Sequence, residues 1–75
     1  MTGKVIRLNS QKAFGFIRGD SDGKDYFFHK DDLHGFWSDM LDDFKDNELI
    51  PVAFEGIVTA KGLRASDVKR TDGIN

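Results

Sequence analysis

The sequence predicts an all-β fold, a small five-stranded antiparallel barrel with one short helix between strands three and four. Three observations support this prediction. The 75 residues are enough for one small domain, short apolar runs alternate with turn signals, and the hydrophobic period becomes helical only over residues 31–48. Five short strands are too few for a sandwich, whereas closing them into a barrel removes exposed edges.

Three strands are predicted in the first half of the chain. Residues 4–8 are apolar and branched, and Asn9 ends this run. Residues 13–18 form the second predicted strand, and the Gly- and Asp-rich stretch 19–23 that follows it is typical of a hairpin connection. Residues 25–29 form the third strand. Three short strands at this close spacing indicate a meander.

The segment 31–48 contains the predicted helix, because its apolar side chains recur at helical steps of three, one, three, one and three. These side chains are Leu33, Phe36, Trp37, Met40, Leu41 and Phe44. Gly35 weakens the first turn, so Ser38 is the predicted N-cap, and Asp39 then lies where the helix dipole favours a carboxylate. Asn47 is the expected stop. The stripe is interpreted as core that covers the open bottom of the barrel.

Strand character returns after the helix. Residues 50–55 alternate apolar positions, and Gly56 is expected to bend or bulge this fourth strand. Residues 63–68 form the fifth strand, and the tail 71–75 is expected to fray, so the predicted domain spans residues 1–70. The predicted core, besides part of the helix stripe, is Val5, Ile17, Tyr26, Phe28, Leu33, Val52, Phe54, Ala65 and Val68.

The net charge of −2 hides an uneven distribution. Residues 1–30 carry six basic and three acidic side chains, residues 31–48 carry one basic and seven acidic, and residues 49–75 carry four basic and three acidic. The acidity therefore lies in the helix segment, and the predicted strands are mildly basic. The acidic helix face is interpreted as solvated and as lying away from any bound strand. It carries Asp39, Asp42, Asp43 and Asp46.

Several classes of site are disfavoured. The chain has no cysteine, so disulfides and thiolate metal sites are excluded. No apolar run approaches the roughly 20 residues of a membrane span, and no apolar signal core follows the N-terminus, so a cytoplasmic chain is expected. His29 and His34 lie near Asp31 and Asp32, but this spacing is weak support for a metal site. No metal, cofactor or catalytic residue is predicted, and the chain is not expected to be an enzyme.

Strands two and three each have one face with charged ends. These faces are predicted to be solvent-exposed, since Lys, Arg and Asp are rarely buried unpaired. They carry Lys12, Phe14, Phe16, Arg18, Asp25, Phe27 and His29. Exposed rings can stack on unpaired bases while the cations follow the phosphates, so the pattern indicates a platform for single-stranded nucleic acid. The alternative is that Phe14 and Phe16 belong to the core and Ile17 faces out.

Two motifs on these strands resemble those of cold-shock domains. Residues 12–17, K-A-F-G-F-I, resemble the ribonucleoprotein motif K-G-F-G-F-I, and residues 26–29, Y-F-F-H, resemble the second motif, V-F-V-H. Each fragment alone is weak, and the assignment depends on further matches in the same order along the chain.

The resemblance extends on both sides of the two motifs. T-G-K-V at residues 2–5, with Asn9, is similar to T-G-x-V-K-W-F-N. V-A-F-E at residues 52–55 is similar to V-x-F-E, and K-G-L-R-A-S-D-V at residues 61–68 to K-G-P-Q-A-x-N-V. Together the matching parts cover nearly two thirds of the chain.

The resemblance implies a five-stranded OB-type barrel that binds single-stranded RNA and DNA on strands two and three. Family members often act as RNA chaperones or as regulators of transcription and translation. The resemblance places Phe14, Phe16, Phe27 and His29 on the base-stacking platform, with Lys12 at its edge.

The sequence departs from the family pattern at several positions. Arg7 stands where the family has a stacking Trp, Lys30 where many members have another aromatic, and Ala13 where the motif has Gly. Ile6 and Leu8 replace a Lys and a Phe. Arg7 can still stack by its guanidinium plane and adds a cation. The predicted nucleic-acid-binding residues are Arg7, Lys12, Phe14, Phe16, Arg18, Phe27, His29 and Lys30.

The sequence supports two alternative functions. The favoured one is binding of single-stranded RNA or DNA with little sequence specificity, by a monomer without a membrane partner. The alternative is a cold-shock-like domain with weak or lost nucleic-acid binding that acts through an unknown protein partner. The missing Trp, the acidic segment and the negative net charge support this alternative. Phe36 or Trp37 could then belong to a partner-binding surface, or either could extend the base platform.

Overall fold

The computed structural model describes residues 1–45 and 49–71. The strands are β1 (Thr2–Asn9), β2 (Phe14–Gly19), β3 (Asp25–His29), β4 (Ile50–Thr59) and β5 (Gly62–Arg70). A 3-10 turn (Lys30–Asp32) and an α-helix, α1 (Trp37–Lys45), lie between β3 and β4. The predicted strands and the helix are thus confirmed, and β1, β4 and β5 are longer than predicted.

The strands close into a barrel in the order β1-β2-β3-β5-β4. Four neighbouring pairs are antiparallel, and β3 pairs with β5 in parallel at Phe27 and Arg64. The prediction of a fully antiparallel barrel is wrong at this pairing. Strand directions cannot alternate at every step around a closed ring with an odd number of strands, so at least one neighbouring pair must be parallel. The parallel closure brings β5 beside the aromatic strand β3.

A bulge in β1 changes which face its side chains occupy. Val5 pairs with Ile17, but Arg7 pairs with the neighbouring β2 residue, Phe16, so Ile6 is an extra residue in the ladder. Because successive strand residues point to opposite faces, Val5 and Arg7 would share a face without the bulge. With it, Val5 is fully buried and Arg7 is exposed on the outer face beside Phe16.

A second register shift lies between β4 and β5. It falls between Ala53 and Glu55, and the extra residue is on β5, where Asp67 adopts a left-handed φ of 50°. The bulge expected at Gly56 is therefore misplaced, and β4 runs through this glycine to its end at residue 59. Gly56 lies against a ring instead, since a Cβ there would approach the Tyr26 side chain to 3.0 Å.

Among the described residues, ten buried hydrophobic side chains form the core. They are Val5, Ile17, Tyr26, Phe28, Met40, Ile50, Val52, Phe54, Ala65 and Val68. Eight of the nine predicted core residues are in this set. The exception is Leu33, which is partly buried against the cluster because it follows the 3-10 turn and lies outside the strands.

The start of α1 differs from the prediction. The Met40 N–H donates to the Phe36 carbonyl at 3.3 Å, and the helix begins at Trp37. Ser38 therefore lies inside the first turn and is not the N-cap. The reason is Gly35, whose φ of 137° redirects the chain immediately before the helix.

The apolar stripe of α1 packs into one end of the barrel, as predicted for most of its length. Met40 is fully buried, and Trp37 and Phe44 pack against the core partly buried. The rings of Trp37 and Phe28 meet edge to face with centroids 6.1 Å apart. Phe36, predicted in the same stripe, is instead 76% exposed because it precedes the first helical turn.

Some predictions concern residues outside the described ranges. The stop at Asn47, the acidic side chain of Asp46 and the tail residues 72–75 are among them. Thr71, the first residue of the tail expected to fray, donates its N–H to the Pro51 carbonyl at 3.0 Å. In the part of the chain that the structure describes, no helix is long and apolar enough to cross a membrane.

The turn between β2 and β3 is fixed by a side-chain hydrogen bond. The Tyr26 hydroxyl donates to Asp22 at 2.6 Å, and the other carboxylate oxygen accepts the Lys24 N–H at 3.0 Å. The hydrogen bond from Tyr26 is the main reason that the pKa of Asp22 lies below its usual value. This anchor holds the two aromatic strands in register at their turn end.

Candidate nucleic-acid interface

Three phenylalanines form one cluster on the outer face of β2 and β3. The ring centroids of Phe14 and Phe27 are 5.4 Å apart, those of Phe16 and Phe27 5.8 Å, and those of Phe14 and Phe16 6.0 Å. Each side chain is partly exposed, whereas the neighbouring Ile17 has no exposed surface. The alternative in which Ile17 faces out is therefore excluded, and the three rings face solvent as predicted.

His29 extends this cluster at the far end of β3. It pairs with Phe14 across the strands, and its side chain is 36% exposed. Its Nδ1 accepts a hydrogen bond from the Asp31 N–H at 3.2 Å. In the neutral ring this bond assigns the proton to Nε2. His29 can therefore stack on a base and donate a hydrogen bond from Nε2.

Arg7 borders a groove that contains the rings. The bulge in β1 brings it opposite Phe16, and it is exposed. The groove has a volume of about 670 Å³. It is lined by Arg7, Leu8, Asn9, Ser10, Gln11, Phe14, Phe16 and Phe27. Arg7 thus lines the groove at the sequence position where the family pattern has a Trp, and residues of the loop after β1 line it as well.

The loop between β1 and β2 carries the next predicted cation, Lys12. It lies in the turn before β2, which begins at Phe14 and not at residue 13 as predicted, and its N–H donates to the Asn9 side chain at 2.9 Å. Ala13 follows with a left-handed φ of 58°, which explains why glycine suits this motif position. The Ala13 carbonyl accepts the Lys30 N–H at 2.9 Å, so Lys30 lies beside the same loop.

The predicted cations differ in their ion pairs. Arg18 is paired with Asp25 at 2.9 Å, so part of its charge is already compensated on the platform face. Arg7, Lys12 and Lys30 form no ion pair with any residue of the described ranges. Arg7 thus lines the groove of the rings, and Lys12 and Lys30 lie in the adjoining chain segments, with their charge uncompensated by a described neighbour.

A second groove lies on the other side of the rings, towards β5. It has a volume of about 500 Å³. It is lined by Phe16, Asp25, Phe27, Thr59, Lys61, Gly62, Leu63 and Arg64. Sequence reasoning missed Lys61 and Arg64 as site residues, although the segment 61–68 already matched the family pattern. Arg64 comes to lie beside Phe27 through the parallel pairing of β5 with β3, which no pattern within β5 predicts.

Arg64 is held in this groove by an acid from the 3-10 turn. Its Nη2 donates to Asp32 Oδ2 at 3.0 Å, and the same oxygen accepts the His29 N–H at 3.0 Å. The Asp32 side chain is only 14% exposed and that of Arg64 is 44% exposed. This contact ties the end of β3 to β5.

The helix lies apart from both grooves. Among its described residues, none lines either groove. Asp39 and Asp42 are exposed, and Asp43 forms an ion pair with Arg70 of β5. The acidic surface is therefore separate from the ring cluster, as expected from the sequence.

The histidines and aspartates noted in the sequence do not converge on one point. His34 pairs with Asp67 at 2.9 Å, while His29 contacts Asp31 and Asp32. Within residues 1–45 and 49–71, no group of three or more such side chains could hold a metal ion.

The chain matches a known protein family. The family model of the 'Cold-shock' DNA-binding domain matches residues 1–71, which include the strands, both grooves and the connection that contains α1. A comparison with curated protein sequences finds no match. The family match thus also covers the acidic segment that the sequence motifs left unaligned.

Proposed function

Because the chain belongs to the cold-shock DNA-binding domain family, we propose that it binds single-stranded RNA and DNA through the outer face of β2 and β3, with little sequence specificity. One observation carries the proposal. Phe14, Phe16 and Phe27 contact one another and are partly exposed, beside cations without an ion pair in the described ranges. Monomeric soluble proteins rarely expose such a cluster without a binding role.

Stacking supplies the apolar part of the binding energy. Every base has a π-face, so a ring accepts any of the four, and each stacked base contributes about 1–3 kcal/mol. The three rings hold one another edge to face or tilted, at centroid distances of 5.4 to 6.0 Å. Because the rings are already ordered in the free protein, little side-chain entropy is lost when a strand binds.

The phosphates are contacted by the cations around the rings. Arg7 lies on the β1 side, and Lys12 and Lys30 lie at the end of the sheet near His29. Phosphate contacts carry no sequence information and position the strand. Arg7 also presents a planar guanidinium that stacks on a base, which partly replaces the ring that the family pattern has there.

Sequence-tolerant binding of single strands suits an RNA chaperone or a regulator of transcription or translation. Such a protein traps unpaired segments and releases them again. In this proposal the chain is a monomeric binding module and not an enzyme.

A nuclear magnetic resonance titration with oligo-T or oligo-U tests the proposal. Amide shifts should concentrate on β2 and β3 and on the loop around Lys12. The resonances of α1 should change little, since it borders neither groove. No shift at a high oligonucleotide concentration would contradict the proposed function.

One observation favours a second candidate, the binding of a protein partner. Phe36 is 76% exposed and lies beside His34, Asp39 and Lys69, on a groove that contains none of the three platform rings. A protein that shifts these amides in the absence of any effect of oligo-T would support this function over the first.

A further inference from the structure

The position of Arg64 indicates contact with a base edge and not only with a phosphate. This inference rests on the proposed function, because it concerns one base position of the bound strand. Arg64 pairs in register with Phe27 and lines the β5-side groove, together with Phe16 and Asp25. A base stacked on Phe16 or Phe27 from this side would therefore present an edge to the Arg64 guanidinium.

The guanidinium has a hydrogen-bond partner before any ligand arrives. Asp32 holds its Nη2 at 3.0 Å and is itself fixed by the His29 N–H at 3.0 Å. A guanidinium has five N–H donors, and this is the one hydrogen bond of the Arg64 side chain recorded in the described ranges. The remaining donors are available to a ligand, since the Arg64 side chain has an exposed fraction of 44%.

The same ion pair weakens the alternative of a phosphate contact. Arg64 and Asp32 together carry no net charge, so their attraction for a phosphate is reduced. The directional N–H groups are unaffected and suit neutral acceptors on a base edge. Lys61, in the same groove and without an ion pair in the described part of the chain, is the better phosphate contact.

Guanine matches these donors best. Its O6 and N7 are adjacent acceptors that an arginine contacts with two hydrogen bonds. Adenine places an amino donor beside N7, and thymine and uracil present O4 next to a methyl group or hydrogen. Cytosine offers N3 and O2, but on a single ring that stacks over less area. We propose that Arg64, held by Asp32, selects guanine at one base position of the bound strand.

The test is a series of oligo-T strands that carry one guanine, adenine, cytosine or 7-deazaguanine, moved through each position, with affinities compared at one salt concentration. At one position, guanine should bind about 5- to 10-fold more tightly than thymine. The 7-deaza base keeps the ring but lacks the N7 acceptor, so most of this gain should disappear. Equal gains from guanine and 7-deazaguanine, or a cytosine gain as large as that of guanine, would overturn the proposal.

Variants separate base readout from charge. Arg64→Gln should abolish the guanine gain, so the guanine strand should lose about 5- to 10-fold more affinity than oligo-T does. The matched control Lys69→Gln, on β5 beside His34 and away from the rings, should leave both affinities unchanged. A loss of the same size for oligo-T and the guanine strand in Arg64→Gln would instead indicate a phosphate contact and overturn the proposal.

A second variant and the binding of the other strands distinguish the possible causes of a lost guanine gain. If Arg64→Gln unfolds, Arg64→Lys retains the charge and can pair with Asp32 but lacks the planar fork, and it should also lose the guanine gain. Binding of every strand with equal affinity contradicts the guanine inference alone. Absence of binding to any strand contradicts the proposed function and the guanine inference together.

Discussion

Phe14, Phe16 and Phe27 lie on the outside of two strands, in contact with one another and partly exposed. At the end of the barrel, α1 directs its apolar side chains towards the core instead. Met40 is fully buried there, and Trp37 packs against the core partly buried. Both regions contain aromatic side chains, yet only the first of the two presents a cluster of rings to solvent. The difference lies in the periodicity of the side chains. Alternate residues of a strand point to opposite faces, so one face of β2 and β3 stays outside, whereas the apolar stripe of a helix packs against the core.

Charge separates the same two regions. Arg7 lines the groove of the rings, and Lys12 and Lys30 lie in the adjoining segments, all without an ion pair in the described ranges. The helix α1 instead presents the exposed acids Asp39 and Asp42. An aromatic cluster beside cations is suited to a polyanion, and an acidic helix is not. The molecule thus has an aromatic and cationic face, which we propose binds the strand, and a structural end at α1.

The largest expected effect is on stability at the helix end. Met40→Ala removes a fully buried side chain and should lower the free energy of unfolding by about 2–4 kcal/mol, measured by urea denaturation. Phe36→Ala, one turn earlier and 76% exposed, is the matched control and should change it by less than about 0.5 kcal/mol. If both variants were equally stable, α1 would not be part of the core.

A smaller effect is expected in the loop that supports the binding face. Ala13 has a φ of 58°, which costs an L-residue with a Cβ about 1–2 kcal/mol. Ala13→Gly removes this strain but loosens the unfolded chain, so the net stabilisation should be about 0.5–1 kcal/mol in thermal unfolding. Ala53→Gly, within β4, should destabilise instead. A loss of stability in Ala13→Gly would show that the left-handed turn is not strained.

The smallest effect is expected for the acids of α1. Replacing Asp39 and Asp42 by Asn should change the affinity for oligo-T by less than about threefold at 150 mM salt, where screening reaches only ~8 Å. Trp37 fluorescence should barely respond to oligo-T, since this ring packs on Phe28 and lines neither groove beside the platform rings. Strong quenching, or a tenfold gain in affinity, would mean that the helix borders the binding face.

The strands, most of the core and the outward rings could be predicted from the sequence, because alternation is a local property. Phe16 and Ile17 are neighbours, so once charged ends had identified one face as solvent, the other face had to be core. The start of α1 was misplaced because Gly35 was interpreted as a weak helical residue, when it turns the chain before the helix.

The features that depend on how the strands pair around the closed barrel could not be predicted from local sequence patterns. The bulge that turns Arg7 outward depends on how β1 pairs with β2, and no periodicity within β1 shows it. Arg64 became a site residue only through the parallel pairing of β5 with β3. The number of strands alone required such a pairing somewhere, but not between which strands it would occur.

The central claim is that the rings on β2 and β3 bind the strand. Its most direct test compares the affinity of Phe27→Ala and Phe36→Ala for oligo-T, with folding checked by circular dichroism. The account predicts a loss of about 1–3 kcal/mol for Phe27→Ala in a folded protein, because one stacking ring is removed, and no loss for Phe36→Ala. Wild-type affinity in Phe27→Ala, or an equal loss in Phe36→Ala, would contradict the account.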